Sequence, residues 1–286
     1  MAARAGNVAA GVVLAGGRSS RMGTPKAALE WHGSTLLRRT LGVLARVADG
    51  PLLVVCASGQ PLPEIPSQVD VVEDPEEGLG PLQGMAAGLA ALIGRAQVAF
   101  VCSTDLPFLH PVFVRRVLGA LAEGTDVVLP VARGFPQPLA AGYRVTLAPL
   151  VADLVAAGNL RPAFLFQRCA TLRLNDAALL ADPVLAAADP ALDSVVNVNS
   201  PDDYHSARCH PAPQVTVQRY GALARNGHRD PRTVHAATLA GAAAAVGLAL
   251  NRHVVAALNG DQISRDGQVP LAKGDTVAFL SADAGG

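Results

Sequence analysis

The chain lacks an excess of charge of either sign: lysine plus arginine total 23 and aspartate plus glutamate total 23 in 286 residues. That balance removes the global basic field by which proteins grip nucleic acid through its phosphates, so any anion site must be local and no nucleic-acid partner is expected. Long apolar runs are missing too. The longest, Ala236 to Leu250, is mostly alanine and glycine and falls short of the roughly 20 residues that a bilayer helix needs, so no membrane span is expected. The N-terminus carries Arg4 and a short apolar stretch but no long apolar core ahead of a small-residue cleavage site. A secretory signal is therefore not indicated, and a cytoplasmic location is expected. Cysteine is sparse and scattered: Cys56, Cys102, Cys169 and Cys209 form no CxxC pair, which argues against a zinc knuckle or a disulfide framework. Only two lysines occur, Lys26 and Lys273, so arginine supplies nearly all the positive charge.

What is present is apolar and periodic. Half the residues are hydrophobic and 16% are charged, enough burial to offset chain entropy and exclude disorder over the whole length. The length suits a medium domain joined to a small one. Up to about residue 206 short apolar runs alternate with longer amphipathic ones, the pattern of helices packed on a mostly parallel sheet. Strands are expected over Gly11–Leu14, Leu52–Val55, Val69–Val72, Val98–Cys102, Val127–Pro130 and Leu139–Ala141. Helices are expected over Thr35–Val47, Leu82–Ile93, Pro111–Leu121 and Val145–Ala156. Asp182–Asp193 reads as a loose, alanine-rich insertion. RCHPAPQ, residues 208–214, reads as a stiff linker, dividing a domain over 1–207 from one over 215–286. In the latter, VTVQRY alternates like a strand, Thr238–Val246 suits a helix, and Val254–Leu258 and Thr276–Leu280 suit two more strands, a small α+β unit.

Two constellations carry chemistry. VVLAGGRSSRMGTPK runs off the first strand into a loop with Gly16, Gly17, Arg18, Arg21, Gly23 and Lys26, and no acid follows before Glu30. Glycine-rich backbone N–H groups, two serine hydroxyls and three cations can wrap the phosphates of a nucleoside triphosphate. In a lysine-poor chain, Lys26 suggests a point-charge contact to phosphate. Neither GK[ST] nor GxGxxG is present, and an ordinary glycine-rich connection is the alternative. VAFVCSTDLPFLHP then places Asp105 in a loop at the carboxyl end of an apolar strand, where ligands of open α/β sheets bind. A carboxylate there can hold Mg²⁺ bridging phosphate oxygens; a turn-stabilising aspartate is the alternative.

Between them DVVEDPEEGLGPLQGM offers Asp74 and an open, glycine-bearing backbone, with Glu76 and Glu77 as solvated surface. SVVNVNSPDDY sets Asn197 and Asn199 before a short helix capped by Ser200. Asparagine can bind a ligand edge or shape a turn.

Taken in order, LAGG-x-S-x-RMG-x-x-K, GPLQG after EDP, CSTDLP and VNVNSPDDY closely resemble the molybdenum cofactor guanylyltransferases over about residues 10–206. The resemblance implies a Rossmann-like nucleotidyltransferase three-layer sandwich that joins GMP from GTP to molybdopterin and releases pyrophosphate. It implies that Leu14, Ala15, Gly16 and Gly17 line the nucleotide site, that Lys26 meets the phosphates with Arg21 as a further catalytic cation, that Asp74 contacts the nucleoside, that Asp105 binds Mg²⁺, and that Asn197 and Asn199 face the second substrate. The family often carries asparagine after its second strand, where this chain has Cys56. LAGG and GPLQG resemble the guanine-selecting members, which favours GTP over CTP. A cytidylyltransferase, a sugar-1-phosphate nucleotidyltransferase and a non-catalytic scaffold are the alternatives.

From Val215 onward, the LNG turn, the KGD turn before a strand and the terminal Gly285-Gly286 resemble the ubiquitin-like sulfur carriers of molybdopterin and thiamin synthesis. That resemblance implies a β-grasp fold and a tail whose last carboxylate an adenylating enzyme activates for conversion to a thiocarboxylate. The large subunit of molybdopterin synthase is the further partner implied. A β-grasp module used only for docking is the alternative.

Overall fold

In this computed structural model residues 7–16, 25–74, 76, 78–224 and 231–281 are described. The chain divides into two compact bodies, Met1–Leu29 with Leu36–Tyr204, and Glu30–Thr35 with His205–Gly286. In chain order the elements begin with β1 (Ala9–Leu14), β2 (Glu30–Trp31), β3 (Ser34–Thr35), α1 (Leu36–Leu44), β4 (Leu52–Ala57) and β5 (Val69–Asp74). There follow α2 (Pro81–Ala90), β6 (Val98–Ser103), α3 (Pro111–Gly119), β7 (Val127–Ala132), β8 (Phe135–Pro136), β9 (Ala140–Arg144) and α4 (Ala148–Ala156). Next come α5 (Pro162–Phe166), β10 (Thr171–Asn175), α6 (Asp176–Leu180), α7 (Pro183–Ala188) and α8 (Pro201–Arg208). The chain then runs through β11 (Gln214–Arg219), β12 (Arg232–His235), α9 (Leu239–Ala245), β13 (Val254–Leu258), β14 (Gln262–Ser264) and β15 (Thr276–Ser281).

The first body is a mixed α/β sheet in the order β10-β7-β9-β6-β1-β4-β5, with β8 paired to β7. β1 runs parallel to both β4 and β6, whereas β9 is antiparallel to β6 and β7. Period-two alternation explains why the central strands are apolar throughout, since a strand covered on both faces must bury every side chain. Val13, Phe100 and Cys102 enter one core with Leu37 and Leu41 of α1 and Phe113 and Val117 of α3. Val12, Leu14 and Val101 enter the other, with Leu82, Met85 and Leu89 of α2 and Val151 of α4. Helix α2 approaches closely because Gly88 has no side chain: a Cβ there would stand 2.8 Å from Val12 Cγ1.

The expected strands and helices are present with shifted ends. Thr35 lies in β3 and α1 starts at Leu36, while α4 begins at Ala148 after a 3-10 turn over Val145–Leu147. The loose insertion expected over Asp182–Asp193 is a correction. Asp182 caps α7 through Oδ1, which accepts from the Val184 and Leu185 N–H groups. Leu185 and Leu192 are buried. The alanine richness masked this, because only those leucines mark the inward face.

In the second body the sheet order is β12-β11-β15-β13-β14, with β11 parallel to β15 and the other pairs antiparallel. Leu239, Ala242 and Ala243 of α9 form a core with Val215, Val217, Ala256, Leu258, Val277 and Phe279. The two turn motifs meet: Asn259, at φ 54°, donates from Nδ2 to Asp275 Oδ1 at 3.0 Å, and Asn259 Oδ1 accepts from the Thr276 N–H at 2.9 Å. Hairpin β2–β3 belongs to this body, with Glu30 paired to Arg208 at 2.8 Å. Residues 209–213 form neither helix nor strand. No helix among the described residues is long and apolar enough to cross a membrane.

Candidate active site

Strand order reverses at β1: β4 and β5 lie to one side and β6 to the other. Loops leaving the carboxyl ends of β1 and β6 must part there, which opens a crevice at that sheet edge. Leu14 pairs with Ser103 across it. A cavity of about 460 Å³ occupies the place, lined by Leu14, Ala15 and Gly16 at the end of β1, Cys56 and Ala57 of β4, Asp74 of β5, Gly78, Gly80, Pro81 and Gly84 before and within α2, and Ser103 to Asp105 at the end of β6. Of the sequence-expected nucleotide residues, Leu14, Ala15, Gly16, Lys26, Asp74 and Asp105 therefore share one cavity. Gly17 and Arg21 lie outside the described residues, as do Gly285 and Gly286.

Lys26 opens a 3-10 turn, Lys26–Ala28, that Pro25 enters in an extended conformation. Its Nζ donates to Asp105 Oδ2 at 2.9 Å and to Asn199 Oδ1 at 2.9 Å. The Ser103 hydroxyl donates to Asp105 Oδ1. Asp105 is thus a buried carboxylate with both oxygens engaged and only 8% of the residue exposed. Its carbonyl accepts from the Val198 N–H at 2.9 Å, which ties the Asn199 segment to the β6 loop. Arg39, buried on α1, donates from Nε to Pro107 O at 2.6 Å and braces the same loop.

Asn199 is itself held. Asp203 Oδ2 accepts from the Asn199 and Ser200 N–H groups at 3.0 and 2.9 Å, and Ser200 Oγ accepts from the Asp203 N–H at 3.1 Å. This reciprocal cap satisfies the orphan donors at the start of α8. The Asn199 N–H bond, followed by the Ser200 hydroxyl and with the Lys26 charge nearby, holds the Asp203 carboxyl below its ordinary range. Asn197 is exposed and does not line the cavity.

The sequence did not single out Ser103, Asp203, Arg39 or Gln60 as site residues. Gln60 Nε2 donates to Ala15 O at 3.0 Å and fixes the first turn after β1. Ser103, inside CSTD, and Asp203, inside VNVNSPDDY and three residues after Ser200, lay within recognised motifs; Arg39 and Gln60 act across 68 and 45 residues, separations that leave no local pattern. Cys56 lines the cavity at the position where asparagine was expected, and burial, with Glu73 adding, pushes its thiol pKa up. Burial, with Asp105 adding, also raises that of Cys102. Both thiols stay protonated at neutral pH and are poor nucleophiles.

At the α2 end of the cavity Gly80 precedes the helix at φ 87°, a conformation that favours glycine, and no side chain caps the first turn. Backbone N–H groups there can serve a ligand acceptor. The arrangement therefore offers backbone donors and a carboxylate at the α2–β5 end and a cation–carboxylate pair at the β1–β6 end, the two demands of a nucleotide.

The MobA-like NTP transferase domain matches residues 11–173. A probable molybdenum cofactor guanylyltransferase of Mycobacterium ulcerans is 42% identical over 188 residues, covering 64% of this chain and 92% of that protein. One of Mycobacterium tuberculosis is 38% identical over 201 residues, covering 69% of this chain and 92% of that protein. Among solved structures, molybdopterin-guanine dinucleotide biosynthesis protein A from Archaeoglobus fulgidus shares the fold with a TM-score of 0.53 at 23% identity, covering 70% of this chain and 96% of that one.

Proposed function

The chain belongs to the MobA-like NTP transferase family and is a nucleotidyltransferase, and from that premise we propose that it transfers GMP from GTP to molybdopterin. The observation that carries this reading is the meeting of Lys26 and Asp105 at the rim of a cavity whose other end holds Asp74 and the open backbone before α2. The nucleoside lies toward β5, where Asp74 accepts from its polar edge. The triphosphate lies over the turn after β1, where Ala15 and Gly16 bring the backbone close and Lys26 supplies charge. Gly17 and Arg21, close in sequence between Gly16 and Lys26, are the further phosphate contacts of this reading.

An oxygen of the molybdopterin phosphate attacks the α-phosphorus of GTP. The new P–O bond forms as the bond from the α-phosphorus to the bridging oxygen breaks, and pyrophosphate leaves with that electron pair. Lys26 holds charge on the phosphates, and Asn199 keeps the ammonium aimed while Asp105 releases it. Such catalysis is positioning and electrostatics. Among the described residues no three His, Cys, Asp or Glu side chains gather as a metal cage. The single carboxylate of Asp105 fits Mg²⁺, which takes one or two carboxylates beside substrate phosphate oxygens and water. When bound, the ion offsets phosphate charge.

Mass spectrometry of the product formed from molybdopterin with GTP or CTP tests the reading. A GMP adduct from GTP is expected. A CMP adduct, or transfer only to a sugar 1-phosphate, overturns the choice of substrates, and no transfer at all favours a scaffold.

For the second body we infer a sulfur-carrier role. Its support is the strand order: the first and last strands of the sheet pair in parallel at the centre, antiparallel strands flank them and one helix packs on the sheet, as in a β-grasp. An adenylating enzyme and the large subunit of molybdopterin synthase are the partners this reading requires, and Gly285 and Gly286 are the residues on which it has them act.

A further inference from the structure

β7 and β6 are both antiparallel to β9, so their carboxyl ends share the sheet edge that carries the site. From that edge β7 turns back into β8 through Arg133 and Gly134, both at positive φ (54° and 83°), with Ala132 opposite Phe135. A two-residue loop with both φ positive is a type I′ hairpin turn. Because β10 occupies one side of β7, β8 takes the side that β9 shares, the row next to β6. Phe135 therefore stands in the row beside the strand that leads to Asp105, and it is 71% exposed. Four residues later Leu139 lines the cavity.

The hairpin is held firmly for a loop that ends in an exposed aromatic. Arg133 donates from its N–H to Asp176 Oδ1 at 3.0 Å, and its Nη1 donates to Asp193 Oδ1 at 2.8 Å and to Ala191 O at 3.3 Å. Gln137 closes the base, with its N–H on Pro130 O at 2.9 Å. Fixing an aromatic in water buries nothing, and the ring so held leaves a face open to a flat ligand.

Direction selects that ligand. The nucleoside end of the cavity lies toward β4 and β5, and the Lys26–Asp105 pair stands between β1 and β6. An acceptor that reaches the α-phosphorus in line with the departing pyrophosphate extends along the remaining direction, over β9 and β8. We propose that Phe135 stacks on the flat heteroaromatic ring of the acceptor, a phosphorylated pterin, and so sets specificity for it. This rests on the reading of the acceptor given above.

The test compares the wild-type chain with Phe135→Ala, Phe135→Leu and Phe135→Trp. Stacking on an aromatic side chain is lost on truncation with a rise in KM for molybdopterin of about fivefold or more. The KM for GTP stays unchanged, Phe135→Trp restores the lower value, and Phe135→Leu does not. Equal KM values for molybdopterin in wild type and Phe135→Ala overturn the proposal. Anisotropy of a fluorescent phosphorylated pterin, titrated with the same four proteins, separates the two readings. Phe135-dependent binding without transfer leaves this inference standing and removes the assigned reaction, whereas binding indifferent to residue 135 removes this inference alone.

Discussion

Lys26 and Asp105 neutralise each other, and on the proposed reading, which brings a triphosphate to the same place, the pair is a resting arrangement that substrate exchanges for its own charges. Lys26→Ala is expected to lower turnover by about 10²–10³-fold, the cost of one preorganised electrostatic contact. Lys26→Arg restores little, since a broad planar guanidinium does not fit where an ammonium meets both Asp105 and Asn199. Steady-state kinetics at saturating GTP decide, with circular dichroism as the check on fold; full activity in Lys26→Arg would show that charge alone suffices. Asp203 gives a pH prediction. Its carboxyl is held below the ordinary range by its bonds at the start of α8, so the cap's contribution is complete above the unfolded aspartate range. It shrinks as pH falls and is gone once pH has passed through the lowered folded value. An NMR titration of the Asn199 amide should show a midpoint below that of an unperturbed aspartate, and a midpoint at the ordinary value would contradict the cap.

Among the elements, α2 carries the most information about how the site is built, because its start lines the cavity and its body lies close against β1 and β4. Gly88 permits that approach: a Cβ there meets Val12 Cγ1 at 2.8 Å and Val55 Cγ2 at 3.2 Å. Both valines are stiff, β-branched and fully packed. Gly88→Val should cost about 1–3 kcal/mol through overpacking. Gly119, at the end of α3, has nothing within 4 Å of its Cβ position. Gly119→Ala should stabilise by about 0.4–1 kcal/mol by restricting the unfolded chain. Urea unfolding of the two variants beside wild type measures both, and the same sign for both would refute the packing argument.

On the scale of the whole molecule, the two bodies have separate hydrophobic cores, so the activities proposed for them should be separable. If the second body is a carrier, incubation with a cognate adenylating enzyme and a sulfur donor should replace the terminal OH by SH and raise the intact mass by about 16 Da. Deleting Gly285 and Gly286 should abolish that gain and leave GMP transfer unchanged. Intact-mass spectrometry and the transfer assay on the same samples check this: an unmodified wild-type tail leaves only docking for the second body, and loss of transfer on deletion shows the activities to be coupled.

The sequence by itself determined the types of the strongly periodic elements and the parts of the site that are local; short elements such as α7, inside the alanine-rich stretch, left no such pattern. Short apolar runs bounded by turn signals, such as Val98–Cys102, read as buried strands, glycines follow the strand that ends at Leu14, and CSTDLP puts a carboxylate at a strand end. Pairing was decided only by tertiary structure. Nothing local says that β9 enters antiparallel between β6 and β7, that Glu30–Thr35 groups with the later body, or that Asn199 reaches Lys26 across 173 residues. Periodicity records which face of an element is buried. Which neighbour buries it depends on register and close packing over the whole sheet, and that same sheet order sets Phe135 in the row beside Asp105's strand.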